Sequence, residues 1–90
     1  MTDGAGTVFV VDDDEPVLDA IGLLLDTVDI PHESYGSAQE FLKAYDRSRT
    51  GCLVLDIRMP GMSGLELQDH LIADNAPVPI VFITGHGDFP

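Results

Sequence analysis

Acidic residues stand where two short apolar runs stop. Val8-Phe9-Val10-Val11 is followed by Asp12, Asp13 and Asp14, and Cys52-Leu53-Val54-Leu55 by Asp56. A third run, Pro79 to Ile83, stops at Thr84, ahead of Gly85-His86-Gly87. As neighbouring strands, these runs would bring Asp12, Asp13, Asp56 and Thr84 to one end of a sheet. Carboxylates gathered there repel: at an effective dielectric near 20, a like-charge pair 4 Å apart costs about 4 kcal/mol. Such a pocket takes up protons or a hard cation. A small set of oxygens with open positions suits Mg²⁺, which keeps several waters and usually also binds a phosphate. A carboxylate beside that ion can attack a phosphoryl group and become an aspartyl phosphate. Thr84 can donate a hydrogen bond to a phosphoryl oxygen, helped by backbone N–H groups of Gly85 or of the Met59 to Met62 loop.

Each of these residues also has a plainer use. Asp12-Asp13-Asp14 can cap a helix, Asp56 can be loop polarity, and threonine is common at strand ends. Three acids in a row after a buried strand exceed what a cap needs. His86 between two glycines reads as a solvated loop residue, and His32 and His70 lack metal-ligand spacing. Cys52 reads as a small apolar strand residue, and Met59 and Met62 as turn packing. Gly4-Ala5-Gly6 precedes the first strand, so it is no phosphate loop.

The elements that must position these residues follow from periodicity. Asp14 is placed to cap a helix whose first turn holds Glu15 and Pro16. Val17, Leu18, Ile21, Leu24, Leu25 and Val28 then mark one helical face, expected to be core. Pro31 precedes a weak, polar strand, His32 to Tyr35. Ser37 to Glu40 has capping-box form, and Phe41, Leu42 and Tyr45 give that helix its apolar side. Ser63 with Glu66 forms another box, opening a helix with Leu67, Leu71 and Ile72 as core candidates. The order is β-α-β-α-β-α-β. Continuously apolar strands indicate a parallel sheet covered on both faces. Right-handed crossovers give an α/β doubly wound parallel sheet. The polar second strand belongs at an edge, which sets the order 2-1-3-4. Ligands of such sheets bind outside the carboxyl ends, where strand order reverses.

Three segments carry a family resemblance: Val10-Val11-Asp12-Asp13-Asp14, Leu55-Asp56-Ile57-Arg58-Met59-Pro60-Gly61-Met62-Ser63-Gly64, and Ile83-Thr84-Gly85-His86. Together they resemble the receiver domain of two-component response regulators, with its flavodoxin/CheY-like fold. The third, continuing Gly87-Asp88-Phe89-Pro90, looks most like the FixJ-like subfamily. The resemblance implies that Asp56 is the phosphoacceptor, served by a sensor histidine kinase. It implies that Asp13 holds Mg²⁺ directly and Asp12 through water, with Asp56 and the Arg58 backbone carbonyl as further ligands. Thr84 would meet and sense the phosphoryl group, and the first helix, near Pro16 and Val17, would dock the kinase. A complete receiver has a fifth strand, two more helices and a Lys-Pro that contacts the phosphoryl group. Residues 1–90 therefore read as a single receiver domain, incomplete at its C-terminus, with the fifth strand absent. Lys43 is its only lysine and lies in the second helix. Weakened phosphorylation is expected on that account. The regulator's DNA-binding effector domain would lie beyond this segment.

Composition sets limits consistent with these readings. Ninety residues leave room for one domain. Sixteen Asp and Glu against four Lys and Arg give a net charge of −12, which disfavours nucleic acid and anionic membranes for this segment. The 44% hydrophobic content argues against disorder. A single cysteine, no membrane-length apolar run and no signal-like start point to the cytoplasm. The fourth strand's apolar residues would form an open edge, so self-association through strand 4 is expected. Two other readings compete. Asp12-x-Asp14 fits the opening Asp-x-Asp of haloacid-dehalogenase phosphatases, with Asp12 as nucleophile. There, however, Glu15-Pro16 replaces the expected Gly-Thr and Asp56 has no role. The other is an interaction fragment that does not switch.

Overall fold

The structure, a computed structural model, describes residues 6–83. Four strands alternate with three helices: β1 (Thr7–Val11), α1 (Glu15–Thr27), β2 (His32–Tyr35), α2 (Ala38–Ala44), β3 (Gly51–Asp56), α3 (Gly64–Ala73) and β4 (Ile80–Ile83). The sheet has the order β2-β1-β3-β4, and every neighbouring pair is parallel. This is the expected doubly wound order, with polar β2 at the edge. Val11 stands opposite Leu55, and Asp56 opposite Ile83. The strand ends that carry the acids are therefore level.

Side chains alternate along each strand. Phe9, Val11, Leu53 and Leu55 face α2 and α3 and form the core with Phe41, Met59, Leu67 and Leu71. Phe9 meets Phe41 edge-on at 5.5 Å between ring centroids. The opposite face departs from expectation. Val81 is 54% exposed, and Cys52 and Val54 are only half-buried. Among the described residues that face is not fully covered. The expected core face of α1 also opens to solvent: Leu24 is 65% exposed, Val28 is exposed, and only Gly22 is buried. α1 touches β1 and β2, so the far side of its stripe meets no partner among the described residues. Ile72 is exposed as well. With 3.6 residues per turn it lies about 100° round the helix from buried Leu71.

Local signals explain the helix limits. Ser63 and Glu66 form a complete capping box, whereas Ser37 accepts from the Glu40 N–H in half of one. Just past the ends of α1 and α3 stand Asp29 and Asn75, whose φ angles are 57° and 54°. The Ile30 N–H then reaches back to the Leu25 carbonyl, and the Ala76 N–H to that of Leu71. These are left-handed helix ends, in which short polar side chains tolerate positive φ.

An ion pair holds the polar edge strand. Arg49 donates to both Glu33 oxygens at 2.6 and 3.0 Å, and its guanidinium lies 4.9 Å from the Phe9 ring centre. The Tyr35 hydroxyl also donates to Glu33. The Arg49 hydrogen bonds, followed by that of Tyr35, hold the Glu33 carboxyl below its ordinary value. A lowered acid stabilises the fold above its unfolded pKa and ceases to as pH falls through the folded one. The side chains are 30% and 40% exposed, so screening limits the pair to about 1 kcal/mol at most. Glu33→Gln is expected to lose that amount at pH 7. The gap to the parent chain should narrow as pH drops below roughly 4.3, the ordinary glutamate value. Thermal unfolding across pH checks this, and a gap as wide at pH 3 as at pH 7 contradicts it.

Candidate functional site

Asp12 directly follows β1. Its backbone N–H bonds to the Tyr35 carbonyl at 3.1 Å, and its side chain is fully buried. One carboxylate oxygen, Oδ1, accepts the Asp14 backbone N–H at 2.9 Å. Asp14 occupies the N-cap position of α1, but its side chain makes no capping bond. The local bond runs the other way, from the Asp14 main chain to Asp12, so the first of the three acids is oriented by the third. Asp56 is the last residue of β3 and is also fully buried, and its Oδ1 accepts the Arg58 N–H at 3.2 Å. Asp13 is exposed at the rim.

The fold brings Asp12, Asp13 and Asp56 together. Each offers a carboxylate oxygen, and the three lie within 4.8 Å of one another. Burial raises the Asp12 pKa above its ordinary value. The Asp14 N–H opposes that shift, while the nearby Asp56 and Asp13 charges add to it. At 4.8 Å and an effective dielectric near 20, each like-charge pair costs about 3.5 kcal/mol. Asp12 Oδ2 is buried with no hydrogen-bond partner among the described residues. Buried polar atoms normally have one. Hard oxygen donors, mutual repulsion and an unserved buried oxygen together fit a divalent cation. Asp13 also lines two clefts, of about 480 and 600 Å³, that open the cluster to solvent.

The segment after Asp56 is tied down on both sides. The Gly64 N–H bonds to the Ile57 carbonyl at 3.0 Å, and Met59 is buried in the core. A Cβ on Gly64 would lie 2.3 Å from the Asp56 carbonyl oxygen, so only glycine lets α3 start this close to the site. In the sequence, the signal for that role is a glycine directly after the capping Ser63. Arg58 reaches the site through its N–H. Lys43 lies in α2, as expected. Thr84 lies outside the described residues, but the last of them, Ile83, is in register with Asp56. No described helix is long and apolar enough to cross a membrane.

Residues 8–90 match the response regulator receiver domain family. The chain is 44% identical over 90 residues to the response regulator protein TodT of Pseudomonas putida, all of this chain and 40% of that one. It therefore spans about two fifths of the length of that relative. The crystal structure of FixJ-N superposes with a TM-score of 0.85 at 41% identity, covering 100% of this chain and 70% of the other. The response regulator protein TrrA of Thermotoga maritima, in complex with Mg²⁺-BeF, superposes with a TM-score of 0.79 at 25% identity, covering 91% and 71%.

Proposed function

Because the chain belongs to the response regulator receiver domain family, we propose that Asp56 is its phosphoacceptor and that a sensor histidine kinase is the donor. The observation that carries this is the cluster of Asp12, Asp13 and Asp56 at the carboxyl ends of β1 and β3. That is the crevice where open α/β sheets bind ligands.

In this reading one Asp56 oxygen forms the new O–P bond as the kinase's P–N bond breaks, and the histidine nitrogen keeps the electron pair. Asp13 would hold Mg²⁺ directly and Asp12 through water, with Asp56 and the Arg58 backbone carbonyl completing the set. Bound there, the ion offsets the carboxylate charge and that of the arriving phosphoryl group. The Mg²⁺-BeF complex of TrrA supports the same use of this fold. The Asp14 N–H holds Asp12, and the Arg58 N–H holds Asp56, so both carboxylates stand oriented before any ligand arrives. Thr84 would donate to a phosphoryl oxygen and report its presence. Turnover is limited to self-phosphorylation and autodephosphorylation. The switch would act in the cytoplasm on a DNA-binding effector domain, for which the longer relatives leave room.

Mapping the modified residue tests this against the haloacid-dehalogenase reading. After incubation with Mg²⁺ and a small acyl phosphate, borohydride trapping and peptide analysis should place the acyl phosphate on Asp56. Modification of Asp12 overturns the assignment.

Self-association belongs to the same reading. β4 ends the sheet order, its outer edge pairs with no described strand, and its Val81 is exposed. Such edges pair readily with another chain. We propose that two copies join along β4. Sedimentation over a concentration series should show a monomer–dimer equilibrium that Val81→Lys weakens. A monomer at every concentration contradicts it.

A further inference from the structure

Two bonds fix Asp12. Its carboxylate accepts the Asp14 N–H, and its own N–H donates to the carbonyl of Tyr35, the last residue of β2. The second bond makes the acidic pocket depend on where β2 ends. That strand is four residues long, lies at the sheet edge, has no fully buried residue and pairs with β1 alone among the described strands. Elements with few buried contacts and exposed backbone bonds open first.

Side chains tie that strand end down. The Tyr35 ring meets Phe41 of α2 edge-on at 5.7 Å. Its hydroxyl donates to the Glu33 carboxylate. Burial, and then the bond to Glu33, hold the hydroxyl above its ordinary pKa, so it stays a donor. Glu33 in turn accepts from both terminal nitrogens of Arg49, which enters from the segment before β3. The guanidinium lies over Phe9, and Phe9 is in register with Glu33 on one side and Leu53 on the other. Arg49 therefore crosses β1 and straps β2 to the chain that leads into β3. The links run from Arg49 through Glu33 and Tyr35 to the amide of Asp12.

We infer that Tyr35, with Glu33 and Arg49 behind it, is a positioning residue for the acidic pocket: it sets the place of Asp12 without touching a ligand. The inference rests on the reading of Asp12, Asp13 and Asp56 as the Mg²⁺ site. The Tyr35 carbonyl fixes the Asp12 backbone, and the ring and hydroxyl fix that carbonyl. Removing a partner bonded directly to a metal ligand typically weakens the metal about 10- to 100-fold, and the Tyr35 hydroxyl stands one step further back, so about fivefold is expected. The start of β2 has a tether of its own. There His32, level with Val8, sets Nε2 at 2.8 Å from Asp26 Oδ1 on α1. That contact holds the same strand from its far end and leads to no residue of the pocket.

The test is calorimetric titration of the 90-residue chain with Mg²⁺, together with amide hydrogen exchange followed by NMR. Tyr35→Phe keeps the ring contact and loses the hydroxyl, and Arg49→Ala removes the strap. Each should weaken Mg²⁺ about fivefold and speed exchange of the Asp12 amide. The double variant should bind no more weakly than the weaker single, because both act through one chain of contacts. Asp26→Ala releases the start of the strand and should lower the melting temperature while leaving both readouts at the parent's values. A parent-like Mg²⁺ affinity in Tyr35→Phe would overturn the inference, as would a loss in Asp26→Ala equal to that in Tyr35→Phe. A parent chain that binds no Mg²⁺ would refute the site reading instead, and the Asp12 amide would then decide the positioning role by itself: faster exchange in Tyr35→Phe supports it, and the parent's rate overturns it.

Discussion

The Asp56→Asn chain is expected to take up no phosphoryl group from an acyl phosphate under conditions that label the parent. An amide oxygen is a poor nucleophile, and an amide carries none of the negative charge that a nearby cation would steady. The loss should exceed about 10³-fold, because removal of a nucleophile leaves no substitute route on the same residue. The substitution conserves volume, so the core is undisturbed. The variant should in fact fold more tightly without metal. Asp56 is fully buried beside Asp12, whose own carboxyl is pushed up by burial and by the neighbouring acids. Taking one charge from the cluster relieves repulsion and should add about 1–3 kcal/mol at pH 7. Phosphate incorporation and thermal unfolding on one preparation separate the two effects. A more stable chain that no longer labels is the expected result. A variant that still labels at the parent's rate would show that Asp56 is not the acceptor.

Asp13→Ala should reduce Mg²⁺ affinity about 10- to 100-fold while leaving the fold intact. Asp13 is exposed, so its removal opens no cavity, whereas Asp12 and Asp56 are buried and their truncation would. The same titration has a predictable pH dependence. Burial first, then the Asp56 and Asp13 charges, raise the Asp12 pKa, so a proton competes with the cation at higher pH than an ordinary aspartate would allow. Affinity should therefore fall as pH drops towards that raised value, with proton uptake accompanying release of the ion. Without metal the sign reverses for stability. A raised acid favours the fold below its unfolded pKa and loses that contribution as pH rises through the folded one. Calorimetry of the parent and Asp13→Ala chains at several pH values checks both. Equal affinities in the two chains would remove Asp13 from the ligand set.

Much of this site was legible before any fold was known. Val8 to Val11 and Cys52 to Leu55 are apolar without alternation, which places them inside a parallel sheet. An acid directly after each must then stand at its carboxyl end. The polarity of His32 to Tyr35 put β2 at the edge, and the Ser63–Glu66 box marked where α3 begins. Local signals sufficed because each depends on a residue and its near neighbours.

What failed was decided over longer distances. Periodicity placed Leu24, Val28 and Ile72 on apolar faces, yet all three are exposed. A hydrophobic stripe states what a helix can bury; how much it does bury depends on what lies across from it.

The sequence by itself determined the topology, the strand ends and the acidic character of the site, because strand polarity, capping and turn residues act within a few positions along the chain. Only the tertiary structure decided that Asp12 and Asp56 are fully buried while Asp13 is not. It also decided that one Asp12 oxygen has no partner among the described residues and that α3 can start against Asp56 only through Gly64. The same holds for the Tyr45 hydroxyl, buried with no hydrogen-bond partner among the described residues. Desolvation and close contact are properties of a packed neighbourhood, assembled from segments dozens of residues apart, and no local pattern encodes them.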